Sequence, residues 1–102
     1  MVEYNKLIRD KIPEIIASKG AAAEITVLSD EEYPSYLEAK LDEEVGEYHR
    51  DKNAEELADI LEVVFALADN MGCSQNELMD IYQRKHDSRG GFRDRIFLIS
   101  KE

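Results

Sequence analysis

The chain has 102 residues, 43% of them hydrophobic, which is enough for one domain, residues 1–102, with a modest core. Its formal net charge of -10 argues against a nucleic-acid polymer or an anionic membrane surface as partner, because both attract clustered lysine and arginine. With a single cysteine, no bilayer-spanning apolar run and no signal-peptide core at the start, we expect a cytoplasmic protein without an intrachain disulfide.

The first part of the chain predicts a cationic segment, a short helix and a short strand. Residues 2–11 show no clear period and include three cations, Lys6, Arg9 and Lys11. A helix is predicted from near Asp10, which can cap it, to Lys19, with Pro13 tolerated in the first turn. The β-branched residues at 25–27 predict a strand within residues 23–28.

Two longer helices are predicted in the middle of the chain. Ser29 and Glu32 have the spacing of a capping box, and the helix that they open carries one apolar stripe: Tyr33, Leu37, Leu41, Val45 and Tyr48. The pattern breaks at residues 51–53. Asn53 and Glu56 form a second possible capping arrangement, and the helix that follows is apolar nearly all round, which predicts a central position.

A fourth helix is predicted from a cap at Ser74 and Glu77 to about Lys85, with three residues facing inward: Leu78, Ile81 and Tyr82. The sequence Arg-Gly-Gly-Phe at residues 89–92 predicts a loop. Residues 96–99 predict a strand that pairs with residues 25–28 as a small ribbon. The predicted fold class is all-α, a bundle of about four helices with a small extended appendage.

The two central helices each carry acidic residues one turn apart. Glu44 and Glu47 are three positions apart, as are Glu56 and Asp59, so each pair lies on one helix face. Antiparallel helices joined by a short loop would bring the four carboxylates together. Glu44 lies on the apolar stripe and Asp59 in a largely hydrophobic helix, where ionised carboxylates need a partner or a metal. All-oxygen ligands suit Mg²⁺ or Mn²⁺.

A simpler interpretation of these residues stays open. Because 23 of the 102 residues are acidic, pairs at this spacing also arise by chance, and Glu56 can serve as the capping partner of Asn53. Other chemistry has less support. His49 and His86 lack partners at zinc spacing, Cys73 is better explained as a small filler than as a nucleophile, and the chain has neither a P-loop nor a dinucleotide fingerprint.

The two acidic pairs also carry a family resemblance. Glu-Val-Gly-Glu at residues 44–47 followed by Glu-Leu-Ala-Asp at residues 56–59 resembles the E-x-x-E…E-x-x-D signature of the all-α nucleoside triphosphate pyrophosphohydrolases. These are the MazG-type enzymes and relatives such as phosphoribosyl-ATP pyrophosphohydrolase and the dCTP pyrophosphatases. Glu43 completes the E-E-x-x-E form. Residues 5–13 and 89–92 resemble the small single-domain branch associated with clearing non-standard nucleotides.

The resemblance implies a reaction in which a nucleoside triphosphate (NTP) and water give the monophosphate (NMP) and pyrophosphate. It implies that four residues hold Mg²⁺, with Mn²⁺ as an alternative: Glu44, Glu47, Glu56 and Asp59. Glu43 is then a further ligand or a base for the attacking water, which makes the acidic catalytic set Glu43, Glu44 and Glu47. The candidate phosphate contacts, each equally well explained as a surface cation, are Lys6, Arg9, Lys11, Lys85 and Arg89. A homodimer or homotetramer is also implied.

The substrate's base and the existence of turnover stay open at this stage. Aromatic residues available for stacking on a base are more often core residues; they are Tyr33, Tyr36, Tyr48, Phe65, Tyr82 and Phe92. Phosphoribosyl-ATP, in histidine biosynthesis, is an alternative substrate. Two non-catalytic alternatives are a helical module that binds a protein partner and a sensor that binds nucleotide without turning it over.

Overall fold

The computed structural model describes residues 2–102, and its secondary structure is entirely helical. There are four helices: α1 (Ile12–Ser18), α2 (Tyr33–Asp51), α3 (Ala54–Asn70) and α4 (Gln75–Arg89). The prediction of an all-α fold with about four helices is confirmed. No helix within the described range is both long enough and apolar enough to cross a membrane.

α2 and α3 form an antiparallel hairpin whose two-residue connection is set by local signals. Lys52 ends α2 in the left-handed conformation, with φ 48°. Asn53 then caps α3, because its side-chain oxygen accepts a hydrogen bond from the Glu56 backbone N–H at 3.0 Å. A connection this short turns the chain back on itself, so the end of α2 lies beside the start of α3.

The predicted capping signals cap the helix at α3 and α4, but not at α1 and α2. Ser29 and Glu32 exchange hydrogen bonds of 3.2 Å ahead of α2, although the regular helix starts one residue after Glu32. Ser74 and Glu77 form a complete capping box at α4, which extends beyond the predicted end. At α1 the prediction of an Asp10 cap was wrong, since the capping position is Lys11 and it makes no side-chain cap.

The hydrophobic core of a single chain is small. Within residues 2–102 the buried apolar side chains are Leu37 on α2 and Val63 and Ala68 on α3, where these two helices pack together. α4 contacts α3 less extensively than α2 does. Leu78 is half-buried, but Ile81 and Tyr82, which were predicted to face inward, are 40% and 56% exposed.

The predicted ribbon of two strands was wrong. Residues 22–28 and 96–102 have no regular secondary structure and make no backbone–backbone hydrogen bonds with any described residue. A two-stranded ribbon without a third strand or a covering helix is marginal in water, and the helices leave both segments uncovered. They form the extended appendage of the helical fold.

Candidate metal centre

The two acidic pairs come together between the facing helices α2 and α3. One carboxylate oxygen from each of four residues lies within 4.8 Å of the others; the residues are Glu44, Glu47, Glu56 and Asp59. The pair on α2 and the pair on α3 each follow the three-residue spacing that puts side chains on one helix face. The structure thus brings together all four residues that the sequence predicts as metal ligands.

Glu44 is the most buried member of this acidic cluster, with 6% of its surface exposed. Its Oε1 lies 3.2 Å from Lys40 Nζ, whereas its Oε2 is buried without a hydrogen-bond partner among the described residues. Burial raises the pKa of Glu44 above its usual range, and the adjacent Glu47 carboxylate raises it further. A buried acceptor without a partner is costly, so this oxygen is suited to a bound cation.

The Glu56 carboxylate could serve either the cap of α3 or the acidic cluster, and the local geometry distinguishes the two. At α4 the Glu77 carboxylate accepts from the Ser74 backbone N–H at 3.2 Å, which completes a reciprocal cap. At α3 only Asn53 contributes its side chain to the cap, and Glu56 Oε2 is buried without a partner among residues 2–102. The carboxylate of Glu56 therefore belongs to the acidic cluster rather than to the cap.

Glu43 lies beside the cluster but is held by two lysines. Lys6 Nζ donates to its Oε1 at 2.7 Å and Lys40 Nζ to its Oε2 at 3.1 Å. Although burial alone would raise the pKa of Glu43, these two hydrogen bonds outweigh burial and lower it. The bond to Glu43 likewise raises the pKa of Lys6. Glu43 is thus a charged carboxylate whose two oxygens are both engaged by cations.

The N-terminal segment places cations at the rim of the cluster. Arg9 Nη2 donates to Asp59 Oδ1 at 2.7 Å, and both side chains are partly exposed. Arg9 and Lys11 line a cleft of about 450 Å³ that also includes Glu44, Asp59 and Tyr33. Three of the five predicted phosphate contacts, Lys6, Arg9 and Lys11, therefore lie at or next to this acidic cleft.

The other two predicted phosphate contacts lie elsewhere in the chain. Lys85 and Arg89, at the end of α4, line a separate concave surface with residues that follow the helix. None of its lining residues is shared with the acidic cleft. Within one chain, the structure does not bring Lys85 and Arg89 to the carboxylates.

Two residues at the cleft, Lys40 and Glu62, were not among the predicted site residues. Lys40 precedes Glu43 and Glu44 by three and four positions, and this helical spacing was a usable sequence signal. Glu62 lines the cleft three positions after Asp59.

Of the six aromatic candidates for stacking on a base, Tyr33 lines the acidic cleft, while Tyr82 and Phe92 line the other surface.

Comparison with known proteins adds little about function. A region of 42 residues, 41% of this chain, is 55% identical to a protein of Mycolicibacterium smegmatis that is described only as uncharacterized. That region spans 43% of the relative's length, so less than half of either protein is compared. No family model matches the chain, and no solved structure matches it.

Proposed function

We propose that this chain is a Mg²⁺-dependent nucleoside triphosphate pyrophosphohydrolase that converts an NTP to NMP and pyrophosphate. The observation that carries the proposal is the cluster of four carboxylates, in which Glu44 Oε2 and Glu56 Oε2 are buried without hydrogen-bond partners in the described part of the chain. Oxygen donors alone, several of them charged, match the ligand preference of Mg²⁺ and Mn²⁺. The sequence resemblance supplies the reaction, and non-standard nucleotides are the substrates that it suggests.

The residues of the site have distinct tasks in this proposal. The four clustered carboxylates hold Mg²⁺, which when bound neutralises the triphosphate and activates a water molecule. Arg9 and Lys11 line the same cleft as the carboxylates and contact substrate phosphates. Because the carboxylates sit on two helices fixed by a two-residue connection, their positions are set before substrate binds.

We assign Glu43 a positioning role. The resemblance leaves it as a further ligand or a base, but its lowered pKa makes it a weak proton acceptor. Both of its oxygens are already engaged by lysines, which disfavours ligation. Glu43 instead holds Lys6 and Lys40 at the rim, where Lys6 is available to a phosphate.

The experiment that tests the proposal is product analysis with Mg²⁺ and a panel of standard, modified and damaged NTPs together with phosphoribosyl-ATP. We expect NMP and pyrophosphate, with the relative rates naming the substrate. Asp59→Asn should abolish turnover, whereas Glu55→Gln, an exposed acidic residue on the same helix, should retain it. The nucleoside diphosphate and inorganic phosphate as products would mean that a different phosphorus is attacked, which contradicts the proposal.

A second candidate function is a helical module that binds a partner or senses nucleotide without turnover. Its support is the large exposed apolar surface of a single chain, which includes Leu57, Leu61 and residues 96–99. The same samples distinguish it. A chain that nucleotide and Mg²⁺ protect against heat, but that releases no product from any substrate, is a sensor rather than an enzyme.

A further inference from the structure

The acidic cleft changes character along its length on α2. Its lining residues on that helix follow one another at helical spacing and pass from charged to apolar and aromatic: Glu44, Lys40, Leu37 and Tyr33. At the usual rise of about 1.5 Å per residue, Glu44 and Tyr33 lie roughly 16 Å apart along the helix axis. The cleft therefore has a charged end, which borders the acidic cluster, and an apolar end.

The facing helix α3 changes in the same direction. Because the two helices are antiparallel, moving toward the start of α2 means moving toward the end of α3. Past Asp59, the residues of α3 that line the cleft are Glu62, the buried Val63 and the half-buried Ala66. A cleft of about 450 Å³ with an apolar part and a few charged groups has the size and lining of a small-molecule site.

The two ends of the cleft correspond to the two ends of a nucleotide. Phosphates held through metal at the acidic cluster leave the sugar and the base to extend along the cleft toward its apolar end. The faces of a base pack favourably on apolar and aromatic side chains. Its polar edge needs hydrogen-bond partners, because polar groups left unpaired in a site weaken binding. Glu62 lies on α3 between the cluster and the apolar end, where it can meet that edge.

The Glu62 carboxylate is not engaged by the rest of the described chain. Within residues 2–102 it makes no ion pair, and it is not a member of the four-residue cluster. Glu44 and Asp59, which line the same cleft, each pair with a cation and belong to the cluster. Asp10 also lines the cleft, but it lies in irregular chain ahead of α1, whereas Glu62 is fixed on a helix. Glu62 is thus an available acceptor in a defined position.

A carboxylate distinguishes bases by the groups on their edges. Its two oxygens accept two parallel N–H bonds, as they do from an arginine side chain. Guanine presents such a pair, a ring N–H beside an amino group. Adenine and cytosine have an unprotonated ring nitrogen beside the amino group, uracil has carbonyl oxygens beside its ring N–H, and hypoxanthine lacks the amino group. A carboxylate at this position therefore favours a guanine-type edge over each of the others.

We propose that the apolar end of the cleft holds the base of the substrate and that Glu62 selects bases whose edge carries a ring N–H beside an amino group. The two oxygens of Glu62 accept these hydrogen bonds, while Tyr33 and Ala66 pack against the base. Ribose and deoxyribose nucleotides share this edge, as does guanine modified elsewhere, and their relative rates in the product panel separate them. This inference rests on the proposed function for the chemistry at the phosphates.

A comparison of GTP with ITP tests the inference, because the two nucleotides differ only in the amino group. The wild type should show a kcat/KM for GTP about tenfold above that for ITP, the low end for a hydrogen bond to a charged group, since Glu62 is exposed. Glu62→Gln replaces one acceptor oxygen with an amide donor, so the ratio should fall to within about twofold of unity. Glu55→Gln, which does not line the cleft, should keep the wild-type ratio. An unchanged ratio in Glu62→Gln, or its loss in Asp10→Asn instead, overturns the inference.

Two further measurements separate base selection from other roles. The affinity of Glu62→Gln for Mn²⁺ without nucleotide should equal that of Glu55→Gln, and a loss would make Glu62 a metal ligand, contrary to the inference. Ala66→Leu fills the apolar end without removing a polar group, so it should raise KM for GTP and ITP alike by about tenfold. Its affinity for Mn²⁺ should stay that of the wild type, which also shows that the variant is folded. A wild-type KM in Ala66→Leu would place the base outside this cleft.

The inference and the proposed function fail in different ways. If GTP and ITP both give NMP and pyrophosphate with equal kcat/KM, the proposed function stands and the inference falls. If no nucleotide is hydrolysed, the proposed function fails, and calorimetric titration of the Mn²⁺-loaded protein with GTP and with ITP decides the inference. Tighter binding of GTP by the wild type that is lost in Glu62→Gln supports it, whereas equal affinities or no binding overturn it.

Discussion

Replacing Glu44 with Gln should make the metal-free protein more stable and the metal-loaded protein less stable than wild type. Glu44 is 6% exposed, its Oε2 has no hydrogen-bond partner within residues 2–102, and Glu47 lies next to it. An unsatisfied buried polar group costs about 1–3 kcal/mol. Glutamine keeps the shape, removes the charge and adds an amide donor for the neighbouring carboxylates, while its oxygen still accepts from Lys40. Allowing for the weakened pair with Lys40, we expect a net gain of about 1 kcal/mol, or roughly 4–8 °C in Tm.

The sign of the effect reverses when metal is present. A ligand at a hundredfold excess over its Kd stabilises the folded state by about 2.7 kcal/mol, which corresponds to roughly 10–20 °C for a chain of this size. The wild type should gain this shift in Mn²⁺, and Glu44→Gln should gain little of it because a ligand charge is lost. Thermal unfolding of both proteins in EDTA and in Mn²⁺ measures the four values.

A matched control is Glu38→Gln, which removes the charge of an exposed residue on the same helix and should change neither stability nor the metal shift. The reasoning is refuted if Glu44→Gln unfolds at a lower temperature than wild type in EDTA and still gains the full shift in Mn²⁺. That outcome would mean that Glu44 is a satisfied structural carboxylate.

Four further predictions concern the same region and its supports. The pKa of Glu44 is raised in the folded state, so its proton stabilises the metal-free fold at pH values below the usual pKa of 4.5. This contribution is lost as the pH rises through the raised pKa. Because the proton competes with metal, the affinity for Mn²⁺, measured by calorimetry, should fall as the pH is lowered through that range. Glu43→Gln should change the affinity for Mn²⁺ by less than about 0.5 kcal/mol, since the Glu43 oxygens bind lysines, but it should slow turnover. An equal loss of Mn²⁺ affinity and of turnover would show that Glu43 is a metal ligand. Arg9→Ala should raise the affinity for Mn²⁺ alone by up to about fivefold, because it frees Asp59. The same change should lower the affinity for nucleotide by about tenfold, because it removes a phosphate contact. Two titrations that both show a gain, or both a loss, would contradict the assignment of Arg9 as a phosphate contact. Ser74→Ala should cost about 1 kcal/mol in chemical denaturation without altering metal binding, and a change in metal affinity would show that α4 is coupled to the site.

The helices and the acidic cluster were predictable because their signals are local. A capping residue and its partner three positions later depend on one turn of chain, and the caps at Asn53 and Ser74 form as predicted. The cluster needs only the three-residue spacing and a short connection between α2 and α3. What spacing did not settle was whether the carboxylate of Glu56 turns to the cap or to the cluster, since both lie within reach of one side chain.

The features that the sequence did not predict correctly depend on contacts between distant segments. Residues 25–28 and 96–99 have strand-like composition, but a strand forms only where another segment pairs with it, and neither segment pairs with any described residue. Ile81 and Tyr82 have the spacing of a buried face, yet α4 packs on α3 over too little of its length to cover them. The distance of Arg89 from the acidic cluster likewise has no local signal.

A net charge of -10 opposes binding of a polyanion, so nucleotide binding would require a redistribution of charge at the cleft. Without metal, the cluster is held partly neutral by Lys40 and Arg9, which pair with Glu44 and Asp59. Carboxylates that bind a divalent cation would no longer depend on these partners, so Arg9 would become available to phosphate, while Lys40 keeps its hydrogen bond to Glu43. We therefore expect bound metal to raise the affinity for nucleotide by more than the attraction between the ion and the phosphates accounts for. By reciprocity, bound nucleotide should raise the affinity for metal by the same factor.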